Sequence, residues 1–219
     1  IASDPAFAED EAPLGQMDYS LGLGVRLLPM AGSLSNHVGY GILLWGIHRS
    51  EADKLYGYVR PWARAQSSLL TTRGEAGLDV FPISMLGFTV AQIGSLKATD
   101  VDTADCDQAE CRGLLGVSML KGILRLNRGP MLLTASTRWA VLYPWKRERP
   151  FADEFTSLVG NTRSDHSLSF ELVPRVRLGE DTIGLFLTWD RMVGSGRRNN
   201  QQSLFYQHKI GRHAVTGGM

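Results

Sequence analysis

Between Leu168 and Leu178 the even positions Leu168, Phe170, Leu172, Pro174, Val176 and Leu178 are apolar, while Ser169, Glu171, Arg175 and Arg177 stand between them, with Val173 the exception. A two-residue period puts the two sets on opposite faces of a strand. After Gly179-Glu180 the alternation resumes, with Ile183, Leu185, Leu187 and Trp189 against Thr182, Gly184, Thr188 and Asp190, and with Phe186 intruding. A Gly-X pair between two alternating runs predicts a type II′ hairpin. Pairing Leu178 with Asp181 across it sets Phe170 opposite Trp189, Leu172 opposite Leu187, Pro174 opposite Leu185 and Val176 opposite Ile183, so the two apolar faces coincide.

The same period recurs along the chain. Met17, Tyr19, Leu21, Leu23, Val25 and Leu27 alternate with polar or small residues and predict a first strand. Val38–Arg49 is apolar on both faces; a tight turn at Glu51-Ala52 pairs it with a third strand, setting Leu55, Gly57, Val59, Pro61 and Ala63 opposite His48, Gly46, Leu44, Ile42 and Tyr40. Further strands are expected at Glu75–Pro82, at Gly87–Lys97, where the pattern is weakest, and at Leu114–Leu126 and Met131–Tyr143, with Leu126 opposite Met131. The opening hairpin supplies the eighth and ninth, and Ser203–His213 a tenth. Long connections (30–36, 67–74, 98–112, 145–165) alternate with tight ones (50–53, 84–86, 127–130, 178–181), and a medium one covers 194–202. In an up-and-down antiparallel sheet this alternation gathers the loops at one end and the turns at the other. Residues 1–16 are acidic and aperiodic and read as a flexible tail, leaving one domain over 17–219.

Composition narrows the classes. With 23 basic and 22 acidic residues and a formal net charge of +1, the chain offers no field for nucleic acid. No apolar run approaches the roughly 18 residues of a membrane helix. Cys106 and Cys111 lie five apart in a polar segment, a spacing suited to a disulfide that staples a loop in an oxidising compartment. Ala6-Phe7-Ala8 has the small-x-small form of an export-signal remnant.

Amphipathic strands, alternating loop lengths and an even strand count together resemble the bacterial outer-membrane β-barrels. The resemblance is one of architecture from Met17 onward and selects no family within that class. It implies a closed transmembrane barrel of about ten strands, with short periplasmic turns and long extracellular loops. Tyr19, Tyr40, Trp139, Tyr143, Trp145, Trp189 and Tyr206 would then form interfacial girdles. Arg60, Arg64, Glu75, Asp79, Lys121, Arg125, Arg138, Glu171, Arg175, Arg177 and Asp190 would line the lumen.

The expected role is a structural or anchoring barrel, or a narrow passive pathway for small solutes, with the lumen filled largely by its own ion pairs and without cofactor or metal. The alternative is a surface-exposed outer-membrane hydrolase acting on lipids or peptides, with Asp165 and His166 near the loop rim as candidate catalytic groups. His48 and His208 fall on apolar faces. Asp100, Asp102, Asp105, Asp107 and Glu110 have the oxygen ligands calcium favours but lack the turn glycine of an EF-hand loop, and read as a solvated acidic loop. Lys146, Arg147, Arg149, Arg197 and Arg198 suit the phosphates of outer-membrane lipids and lipopolysaccharide. A periplasmic or lipoprotein partner held by the turns or tail would leave little trace in one chain.

Overall fold

The computed structural model describes residues 14–27, 30–46, 56–68, 71–97, 113–145, 151, 158–161, 163–210 and 213–218, with backbone alone at 23–27, 30–33, 209–210 and 213–218. It is all-β, and no helix occurs among the described residues. Twelve strands form one antiparallel sheet: β1 (Met17–Leu27), β2 (Met30–Tyr40), β3 (Ile42–Trp45), β4 (Gly57–Ser68), β5 (Thr71–Ile83), β6 (Leu86–Lys97), β7 (Gly113–Arg128), β8 (Met131–Pro144), β9 (Asp165–Leu178), β10 (Asp181–Met192), β11 (Arg198–Ile210) and β12 (His213–Gly218). Each strand pairs with the next in sequence, except that β2 and β3 both lie along β4, on either side of Gly41. No pairing joins β1 to β12 among the described residues, so the expected closure is not seen and the sheet is open along this path.

The β9–β10 hairpin has the expected register: Leu178 faces Asp181, Val176 faces Ile183, Leu172 faces Leu187 and Phe170 faces Trp189. Gly179 turns at φ 69°, a left-handed conformation that a residue with a Cβ adopts only under strain. Between β7 and β8 the turn is Gly129-Pro130, with Gly129 at φ 60°, and Arg128 rather than Leu126 faces Met131. The β3–β4 ladder likewise starts two residues from the expected register, with Ile42 opposite Val59, and an irregularity between Leu43 and Trp45 reduces the offset to one where Trp45 faces Gly57. Because an even shift preserves the face of every side chain, the β7–β8 correction leaves the polarity assignment there intact.

Two expected loops are strands. Residues 30–36 pair with 21–27 in β1, and Ser67 faces Thr72 at the end of the β4–β5 ladder. These segments, rich in Ser, Gly and Thr, lack an apolar face, yet a ladder needs only backbone N–H and C=O groups. At the β4–β5 turn the hydroxyls add to it: the Thr71 N–H donates to Ser68 Oγ at 3.0 Å. The strict alternation of loop lengths therefore holds only from β5 onward. Leu14, expected in the tail, pairs with Gly41 and packs against Tyr56, Tyr58 and Phe81.

The sheet is strongly curved, because side chains on one face join strands that are not neighbours. Arg125 of β7 donates to the Tyr58 hydroxyl of β4 at 3.2 Å, and Arg60 of β4 meets Asp18 of β1 at 2.6 Å. This concave face is buried and its convex counterpart exposed; along β6 the two alternate residue by residue. The concave face has two zones. Toward the end that carries connections 98–112 and 145–164, Ile93, Leu115, Val117, Ala140, Leu142 and Met192 form an apolar core covered by Phe151 and Leu158. Those two come from a connection read in the sequence as an ordinary loop; it returns onto the concave face, and the Gly160 N–H donates to the Phe151 carbonyl at 2.8 Å. Midway the concave face is charged, and toward the tight-turn end it is mixed, with Arg125 lying over the buried aromatic cluster of Tyr56, Tyr58 and Phe81.

Candidate functional site: the charged concave face

One rung of paired residues crosses most of the sheet: Arg60, Asp79, Thr89, Lys121, Arg138, Ser169, Asp190 and Asn199 stand opposite one another in succession from β4 to β11. The neighbouring rung, one residue away on every strand, is Pro61, Leu78, Val90, Leu120, Trp139, Leu168, Arg191 and Arg198. Arg60, Asp79, Thr89 and Asp190 are 5–9% exposed, whereas Leu78, Val90, Leu120, Trp139 and Leu168 are 41–59% exposed. The usual polarity of a water-soluble protein is inverted across a single peptide unit.

Most of the buried charges are answered by partners. Arg60 Nη2 lies 2.6 Å from Asp18 Oδ2 and donates to His37 Nε2 at 2.8 Å; since a guanidinium only donates, His37 accepts there. Arg60 crosses the sheet over Gly39, where a Cβ would stand 2.8 Å from its Nε, so the close approach depends on that glycine. Asp79 accepts from Trp62 Nε1 at 3.1 Å and Thr89 Oγ1 at 2.7 Å. Arg73 and Glu75 pair at 2.6 Å. The directly opposed cations Lys121 and Arg138 are each met by an acid two strands away, Glu171 and Asp190, both at 3.8 Å, and Arg138 also donates to Ser169 at 2.8 Å. Arg125 lies 4.5 Å over the Phe81 ring, itself stacked on Tyr58, and Arg175 donates to Thr134 at 3.1 Å.

All eleven expected lumen residues therefore fall on one face. Arg64 takes its place between His37 and Glu75, and Arg177 sits exposed near the Gly179 turn. Asp18, His37, Trp62, Arg73 and Thr89 belong to the same network and were not singled out in the sequence. Their signal was present as polar or amphipathic positions alternating with Tyr19, Val38, Ala63, Thr72 and Val90.

Asp165 and His166 do not converge. Asp165 is buried and wholly engaged by backbone: the N–H groups of His166 (2.7 Å) and Gly194 (2.6 Å) donate to Oδ1, those of Asn161 (3.1 Å) and Ser195 (3.2 Å) to Oδ2. His166 projects to the convex face and stacks on Trp139, ring centroids 5.7 Å apart. The carboxylate is thus a structural clasp that ties residues 158–161 to the turn at 193–197, reinforced by the Ser195 hydroxyl donating to the Val159 carbonyl at 2.6 Å. His208, on the convex face, meets Asp181 at 2.7 Å. The Cys106–Cys111 pair, the acidic run Asp100–Glu110 and Lys146, Arg147 and Arg149 lie outside the described residues.

Chemically, the concave face is a largely paired set of ions with aromatic filling, in which arginine and lysine outnumber aspartate and glutamate. Comparison with protein-family models, with curated proteins and with solved structures finds no match.

Proposed function

We propose that the chain is an integral β-barrel of the bacterial outer-membrane kind, with its concave face turned to a closed lumen and its convex face to lipid, and that it serves as a structural or anchoring barrel. The observation that carries this reading is the inverted polarity of the two adjacent rungs. In water, an exposed belt of Leu78, Val90, Leu120, Trp139 and Leu168 over buried arginine and aspartate would be unfavourable on both faces; a bilayer makes the apolar belt favourable and leaves the charges their own partners.

Two further features agree. The convex apolar run of β9, Leu168 to Leu178, spans ten residue steps, roughly 33 Å along a strand. At the tilt usual for such strands this covers about 25 Å of bilayer. Tyr19, Tyr40, Trp139, Tyr143, Trp145, Trp189 and Tyr206 are all exposed, as lipid-facing and interfacial aromatic residues are. Closure would come from pairing the free edge of β1, since an unpaired edge in hydrocarbon leaves backbone groups unsatisfied.

Within this reading the apolar core under Phe151 and Leu158 obstructs one mouth, which favours an anchor over a solute pathway. Heat-modifiable migration on an electrophoretic gel, folded against boiled, tests the barrel; identical mobility overturns it. Planar bilayers test the closed lumen: they stay silent for an anchor, and stable unitary conductance replaces this role with that of a pore.

A further inference from the structure

Beside the rung of aromatic and aliphatic side chains, the convex face carries a groove of about 490 Å³ between β6 and β10. Its walls are Phe88, Leu120, Trp139, Leu168, Phe170 and Trp189; its floor is low because Gly122 and Thr137 stand opposite each other at its centre. Arg191 lines one end. Directly across the ladder from Arg191 is Arg198, on the same exposed face and at the last rung before the 193–197 turn. Like charges in register destabilise a strand pair unless something neutralises them. The sheet does this for Lys121 opposite Arg138 by supplying Glu171 and Asp190. Among the described residues no acid pairs with Arg191 or Arg198; the adjacent Asp190 and Asn199 point to the other face.

The geometry points to a binding site for one phosphate-bearing membrane lipid, its acyl chain lying in the groove and its phosphate between the guanidinium groups of Arg191 and Arg198. The inference rests on the membrane-spanning reading and adds to it a particular lipid at a particular place. Guanidinium groups match phosphate oxygens bidentately, and two of them supply the donors a single headgroup takes. A chain in the groove covers the depression that Gly122 leaves in the lipid-facing wall, where dispersion contacts would otherwise be missing.

Trp139 and Trp189 flank the groove and report on its occupant once Trp45 and Trp145, the other exposed tryptophans, are replaced by Phe. The test uses the full chain refolded into phosphatidylcholine vesicles doped with either brominated phosphatidylglycerol or brominated phosphatidylcholine, with tryptophan quenching as the readout. Quenching several-fold stronger by the anionic lipid is expected, and the Arg191→Gln/Arg198→Gln variant is expected to erase that preference while still inserting. Gly122→Leu fills the floor, and the space above Gly122 admits a side chain, because the nearest atom to a Cβ at that position would be Thr137 Oγ1 at 3.4 Å. This variant is expected to weaken quenching by both lipids. Equal quenching by the two lipids in the inserted parent chain, or a preference that survives in the double arginine variant, overturns the site alone. Loss of quenching on formation of a cross-linked dimer also overturns it, assigning the groove to a second copy. A chain that stays outside the vesicles, shows no quenching and migrates identically boiled and unboiled overturns the membrane reading as well.

Discussion

Lys121 and Leu120 are consecutive residues of β7, yet each belongs to a different environment. Lys121 shares the concave face with Arg138, Glu171 and Asp190 and is stabilised through partners; Leu120 shares the convex face with Val90, Trp139 and Leu168 and is stabilised only if its surroundings are apolar. The difference teaches that the sheet's interior is held together by pairing and its exterior by the solvent it meets. Concave substitutions should therefore act in any medium, and convex ones in proportion to the lipid around them.

The largest effect is expected at Arg60. Arg60→Met leaves the Asp18 carboxylate with only His37, at 3.5 Å, beside it and should cost up to about 3–5 kcal/mol, measured as a lower urea midpoint in detergent and in vesicles alike. A loss confined to vesicles would break the comparison. Phe151→Ala, which opens the apolar core over Leu142 and Met192, should cost about 3–4 kcal/mol by the same assay. Leu120→Arg is the reciprocal test: about 2–4 kcal/mol in a bilayer, and far less in detergent, where the new side chain reaches water. The concave neighbour gives the smallest effect. Lys121→Leu removes a partly exposed 3.8 Å pair and should change stability by about 1 kcal/mol or less in either medium.

The sequence disclosed the fold where the two faces differ in polarity, and concealed it where they do not. In β9 and β10 the concave residues Glu171, Arg175 and Asp190 contrast with Phe170, Leu172 and Trp189, so faces, turn and register were all legible. In β6 the concave positions include the buried Ala91 and, in the apolar zone beneath Phe151, Ile93; with apolar groups on both sides the period vanishes, although the strand alternates more regularly in burial than its neighbours. Phe151 and Leu158 were invisible for a related reason, since an isolated apolar residue in a polar connection has no periodicity to announce what it packs against. In β2 neither face is strongly apolar, and backbone pairing with β1 leaves no mark on side-chain pattern. Of the site, the charges could be read and their partners could not: the Arg60–Asp18 pair joins strands separated in the sheet by β2, across Gly39, and no short-range pattern marks such a pair.

Asp165 has a consequence for how the molecule comes apart. Its four amide donors belong to Asn161, His166, Gly194 and Ser195, so one carboxylate fastens the end of the inward-folded connection, the first rungs of β9 and the turn after β10. Removing the carboxylate would release all of them together, so they are coupled through one side chain rather than held as three independent loops. The apolar cover made by Phe151 and Leu158 is thus fastened to the very turn that presents Arg198, and whatever steadies that turn from outside also steadies the cover.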